Sequence, residues 1–142
     1  MLKDLISHVK NEFGLCETLD NNSGDTGEVD LKGFSKVNVL CLVAPGNDGG
    51  DEITFKLEHG ATGALSNVTA DDLLMEYGNN DGSVAAGVFG TVDGDGDNQV
   101  ISVGYIGSER YIKVTATEGG GNTTHPVAVI ITKEALQKPV ND

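Results

Sequence analysis

Clusters of glycine with asparagine, aspartate and serine cut this chain into short pieces. GNDGGD at 46–51, GNNDGS at 78–83, DGDGD at 93–97 and EGGGN at 118–122 fall at fairly even intervals, as loops do between short elements. The pieces between them are β-branched or alternate apolar with polar residues. FSKVNVLCLV places Val37, Val39, Cys41 and Val43 on one side and Leu40 and Leu42 on the other, so it reads as a central strand covered on both faces. ITFKLEH sets Ile53, Phe55 and Leu57 against Thr54, Lys56 and Glu58, the pattern of a strand buried on one face. VAAGVFGTV is a weaker strand, because its glycines lower the propensity.

The run from Gln99 to Thr117 carries a hairpin signal. Gly107 and Ser108 suit a two-residue type II′ turn, with Ile101, Val103 and Tyr105 before it and Ile112, Val114 and Ala116 after it. HPVAVIITK supplies a last strand, with Pro126 tolerated at its start. Thr69 reads as an N-cap with Asp72 at capping-box spacing, which predicts one short helical turn running into Leu73, Leu74 and Met75. Together these pieces predict an all-β fold, an antiparallel β-sandwich or jelly-roll-like domain of about seven or eight strands over residues 27–142. Tryptophan is absent, which argues against a true immunoglobulin domain.

Residues 1–26 read as an N-terminal arm and linker. Leu2, Leu5, Ile6, Val9 and Phe13 recur at helical spacing and fit an amphipathic helix of about three turns, although no cap precedes it. The first thirteen residues have no continuous apolar core and do not read as a signal peptide, and no segment has the length of a membrane span. Lysine and arginine total 9 against 22 acidic residues; the net charge of −13 repels a phosphate backbone and excludes nucleic acid as the expected partner. Cys16 and Cys41 make no disulfide framework.

Asp93, Asp95 and Asp97 in TVDGDGDNQV imitate the opening of a calcium loop. The glycine and closing glutamate of that loop are replaced by Asn98 and Gly104, and the flanks are strand-like, so the stretch reads as a solvated hairpin tip. His8, His59 and His125 form no zinc spacing, and no nucleophile elbow or P-loop is present. No cofactor and no catalytic residue is expected. Arg110 reads as solvated or as paired with Glu109.

In order and spacing, EVDLKGFSKVNVLCLV, ITFKLEHG, TADDLL and VISVGYIGSERYIKVT resemble a family of small tailed-bacteriophage virion proteins. The likeness spans about residues 28–132. It rests on Asp30, Gly33 and Phe34, on Phe55, Leu57 and Glu58, and most specifically on Val103, Gly104, Tyr105, Ile106, Gly107, Arg110, Tyr111, Ile112 and Lys113. His59, Glu109 and the long acidic loop from Asp93 to Asn98 depart from its pattern. The resemblance implies a head decoration or cement protein on the outer surface of a virion capsid, made in the bacterial host cytoplasm. Its partner would be the major capsid protein, and it would act as a homo-oligomer, a trimer suiting threefold capsid sites. Leu5, Ile6, Val9 and Phe13 are the candidate capsid contacts. A head-to-tail connector or tail protein is the nearest alternative. A receptor- or carbohydrate-binding β-sandwich is another, disfavoured by an aromatic content of 5%.

Overall fold

The computed structural model describes residues 9–45, 52–75, 84–93, 99–119 and 124–135. They form two antiparallel sheets packed as a sandwich. The first sheet contains β1 (Val9–Leu19), β4 (Phe34–Val43), β7 (Leu73–Met75), β9 (Gln99–Tyr105) and β11 (His125–Ala135), in the order β1-β11-β4-β9-β7. The second contains β2 (Ser23–Asp25), β3 (Val29–Asp30), β5 (Glu52–Gly60), β6 (Ser66–Asn67), β8 (Val88–Asp93) and β10 (Tyr111–Gly119). Here β10 lies beside β5, with β2 and β3 on the far side of β10 and with β6 and β8 on the far side of β5.

The core forms where the alternation of the long strands points inward. Val37, Val39, Cys41 and Val43 of β4, Val127, Val129 and Ile131 of β11 and Ile101, Val103 and Tyr105 of β9 meet Ile53, Phe55 and Leu57 of β5 and Ile112, Val114 and Ala116 of β10. Phe55 stacks at a tilt on Phe89, with ring centroids 6.2 Å apart. Burial holds the Cys41 thiol strongly protonated by raising its pKa.

Chain neighbours are seldom sheet neighbours. Among the described strands, β5 and β6 are the single consecutive pair that is hydrogen-bonded; the chain otherwise passes repeatedly from one sheet to the other. The expected hairpin is corrected accordingly: β9 pairs with β4 and β7, while β10 pairs with β2, β3 and β5. The loop between them is committed elsewhere. The Tyr105 hydroxyl accepts the Glu109 N–H at 3.2 Å, Ile106 N–H donates to Asp72 O at 2.8 Å, and Leu31 N–H donates to Arg110 O at 2.8 Å. Gly107 is not among the glycines with positive φ, so no type II′ turn forms. A Cβ at Gly107 would lie 2.5 Å from the Tyr105 hydroxyl, and that close approach is what requires glycine. In the same way β8 and β9 belong to different sheets, so residues 94–98 join sheets instead of capping a hairpin; those residues lie outside the described set.

The N-terminal expectation changes as well. Val9 to Leu19 is not helical but an eleven-residue edge strand paired with β11 from Val9–Glu134 to Leu19–His125, with a bulge between Phe13 and Leu15. Leu15 and Leu19 are core residues, and β2 pairs with β10, so residues 9–25, read from the sequence as arm and linker, belong to the sandwich. Long-range pairing with β11 overrides the helical spacing of a segment that had no cap to start a helix. At Thr69 the capping box forms: the Asp72 carboxylate accepts the Thr69 N–H at 2.9 Å and its hydroxyl at 2.8 Å. The turn is a single 3₁₀ turn, Ala70–Asp72, and Leu73 to Met75, expected to continue it, pair with β9 as an edge strand.

Candidate functional site

The two sheets present opposite chemistries to solvent. On the first, register aligns the outward side chains into rows across the strands. Phe13, Ile130, Leu40 and Ser102 form one row; Cys16, Ala128, Leu42 and Val100 form the next. Asn11, Thr132, Asn38, Gly104 and Leu74 form a third, and Val9, Glu134 and Lys36 a fourth. Four large apolar side chains among the described residues are more than half exposed, and three of them, Phe13 at 66%, Leu74 at 60% and Val100 at 53%, stand on this face. The fourth, Ile106, directly follows β9.

Several polar groups on this face are partnered within it. The Ser102 hydroxyl donates to Asn38 Oδ1 at 3.0 Å and the Thr132 hydroxyl to Asn11 Oδ1 at 2.8 Å. The charges of these rows are Lys36 and Glu134, which neutralise each other at 2.8 Å. Two apolar grooves flank the central row. One, of about 490 Å³, lies among Cys16, Thr18, Leu42, Val100, Pro126 and Ala128. The other, of about 320 Å³, lies among Val9, Lys36, Asn38, Leu74, Ile106 and Thr132.

The second sheet's outer face is hydroxylated and charged. Ser23, Thr117, Thr54 and Thr91 form a row across four strands, and Asp25, Thr115 and Lys56 lie in the adjacent one. Glu58 sits between Lys56 at 3.1 Å and Lys113 at 3.2 Å. Burial acts to raise the Glu58 pKa, but the hydrogen bonds from both ammonium groups outweigh it and hold the carboxyl below its ordinary range.

At one end of the sandwich the two most distinctive stretches of the sequence meet. Asp30 accepts from Lys32 N–H at 2.9 Å, and Gly33 takes φ of 88°, which closes the β3–β4 turn. Arg110 forms a bidentate pair with Asp30, Nε to Oδ1 at 3.0 Å and an Nη to Oδ2 at 2.7 Å, and lies over the Tyr111 ring at 4.9 Å. The Arg110 guanidinium and the Lys32 amide hold the Asp30 carboxyl far below the usual range. Arg110 is therefore exposed, as expected, but its partner is Asp30 and not Glu109. Nearby, Lys133 is buried with its ammonium on Glu12 at 2.5 Å, on Asp30 O at 3.1 Å and over the Phe34 ring at 4.8 Å.

The histidines have separate partners. His59 meets the Tyr105 hydroxyl at 3.0 Å, and His125, fully buried, meets Glu118 at 2.5 Å. The second Glu118 oxygen accepts the Asn21 N–H at 2.9 Å, so this carboxylate ties the β1–β2 turn to both sheets. His8 lies outside the described residues, as do Asp95 and Asp97; Asp93 ends β8, paired with Glu52. Among the described residues no group of three or more histidine, cysteine, aspartate or glutamate side chains is placed to hold a metal ion. Of the candidate contacts, Val9 and Phe13 share the first sheet's outer face, and Leu5 and Ile6 lie outside the described residues. Sequence reasoning missed the face itself. Its signal was present in the apolar outward residues of β4, which reads as a strand covered on both sides, and of β11, which reads only as a last strand.

No protein family and no curated protein matches this sequence. Among solved structures the chain is similar to a protein of Bacteroides thetaiotaomicron assigned to sugar binding, with 9% identity and a TM-score of 0.47, covering 93% of this chain and 85% of that one. It is similar also to the CBM22-1–GH10 modules of xylanase 10B from Clostridium thermocellum complexed with xylohexaose, at 11% identity and a TM-score of 0.44, covering 96% of this chain and 28% of that one. A third likeness is to dimeric latent PorU from Porphyromonas gingivalis, at 13% identity and a TM-score of 0.44, covering 94% and 13%. Likenesses at this level say nothing of what the present chain binds.

Proposed function

We propose that this chain is a structural virion protein that decorates the outside of a phage capsid, acting by protein contact and without catalysis or cofactor. The supporting observation is the placement of Val9 and Phe13 on β1, the longest edge strand among the described residues, with Phe13 66% exposed beside an edge that no described strand pairs. Such an edge offers backbone groups to a neighbouring chain while its outward side chains add apolar contact. The acidic surface suits a position away from packaged nucleic acid. The Asp30–Arg110 lock joins two of the segments that carry the resemblance to virion proteins.

The capsid contact then comprises Val9 and Phe13 together with Leu5 and Ile6 just before them. The test is the number of copies per purified particle, measured by quantitative mass spectrometry against the major capsid protein. A ratio near one, or a simple fraction such as about one third, is the expected result for a component that follows capsid symmetry. The number in a single ring would move the protein to the neck or tail, and absence from particles would overturn the reading. Removing residues 1–8, which leaves β1 intact, should weaken attachment without unfolding the domain.

A further inference from the structure

We propose that the outer face of the first sheet joins two copies of this chain, face to face, about a twofold axis. Three observations choose a second copy as the occupant. The first is charge: each chain carries −13, yet among the described residues the rows of this face contain one acid and one base that neutralise each other, and Glu17 at the groove's edge is a further acid beside them. A basic partner would be met best by acidic groups within the face, whereas two like-charged molecules can meet only where those groups are missing.

The second is shape. The row containing Ile130 and Leu40 stands directly beside the groove walled by Cys16, Leu42 and Val100. A twofold axis between ridge and groove sets the ridge of each copy into the groove of the other, the self-complementary arrangement an isologous contact needs. Phe13 remains at the rim on the edge strand, so the edge contact proposed above does not depend on this one. The third is area and polarity. Three strands of full length, the shorter β9 and the three-residue β7, about 4.8 Å apart over the span from Pro126 to Glu134, give a face on the order of 550 Å², somewhat below the ~800 Å² per partner of a standard interface. Its polar side chains bring their own partners, Ser102 with Asn38 and Thr132 with Asn11, so burial leaves few of them unsatisfied.

Sedimentation equilibrium of the full chain between about 1 and 200 µM should show a reversible shift from 14.8 kDa to twice that mass. Raising sodium chloride from about 0.05 to 0.5 M should strengthen it, because salt screens repulsion between like-charged copies. Leu42→Lys should weaken association at least about tenfold, while Thr54→Lys on the opposite face leaves it unchanged. Should Leu42→Lys fail to fold by circular dichroism, the exposed Cys16 thiol of the unaltered chain gives the same reading: its rate of modification should fall as protein concentration rises. A chain that stays monomeric at high salt, a trimer, or a dimer broken by Thr54→Lys but not by Leu42→Lys would each overturn the inference. A monomer that still decorates particles would overturn it and leave the proposed function standing.

Discussion

The two outer faces of this sandwich come from strands with the same inward alternation, yet they differ in almost everything that meets water. The second sheet shows threonine, serine and lysine–glutamate pairs; the first shows leucine, isoleucine, valine and phenylalanine, with its few polar groups turned on one another. The inner faces are equivalent in burial, so folding alone does not call for the difference. A strand that needs one covered face needs no leucine on the other. The apolar outward residues of β4 and β11 are therefore the ones the proposed association would use.

If that division is sound, the largest losses should come from the inner faces and be alike for both sheets. Phe55→Ala on β5 and Ile131→Ala on β11 should each destabilise by about 2 to 5 kcal/mol in chemical denaturation, with association unchanged wherever the protein remains folded. Markedly unequal losses would mean that one sheet dominates the core. Next comes the clasp between the sheets. Glu118→Ala leaves the His125 ring and the Asn21 N–H without their buried acceptor and should lose about 2 to 3 kcal/mol. By contrast Lys36→Ala, which opens an exposed pair, should change stability by less than about 0.5 kcal/mol.

Smaller effects test the faces directly. Leu40→Thr, which gives the first sheet the residue type of the second, should leave stability within about 1 kcal/mol and reduce association, read by sedimentation. Converting Thr54 and Thr117 to valine should do the reverse and make the second face adhesive. The smallest effect is acid dependence at Glu58. Because its folded pKa is lowered, its ion pairs contribute fully above the ordinary value of 4.5, and the contribution fades as pH falls through the lower folded value. Denaturation of Lys113→Ala against the unaltered chain should show a difference of less than about 1 kcal/mol at neutral pH that shrinks on acidification.

Strand identity was legible because period-two alternation is a local property. Phe34 to Val43, Glu52 to Gly60 and His125 to Ala135 fall close to where their sequences place them. The short turn at Thr69 was legible for the same reason, since a capping box joins residues three apart. Pairing was not. The Gly107–Ser108 stretch has the residues of a tight turn, but Tyr105, Asp72 and Leu31 claim the loop's hydrogen bonds, and these partners lie far apart in the chain. The N-terminal stretch has helical spacing, but only β11, more than a hundred residues away, determines that it is a strand. The candidate face was not legible as one surface for a related reason: Leu40 meets Ile130 and Leu42 meets Val100 only after register is set.

By itself, then, the amino-acid sequence determined the all-β class, the inward alternation of strands such as Glu52–Gly60 and Tyr111–Gly119, the acidic charge and the capped turn at Thr69, since each depends on residues close together. Tertiary structure decided which strands pair, which sheet each joins and which outward residues gather into one surface. Hydrogen-bond ladders between distant strands carry no local signature, and a two-sided apolar strand reads the same whether a third layer covers it or not.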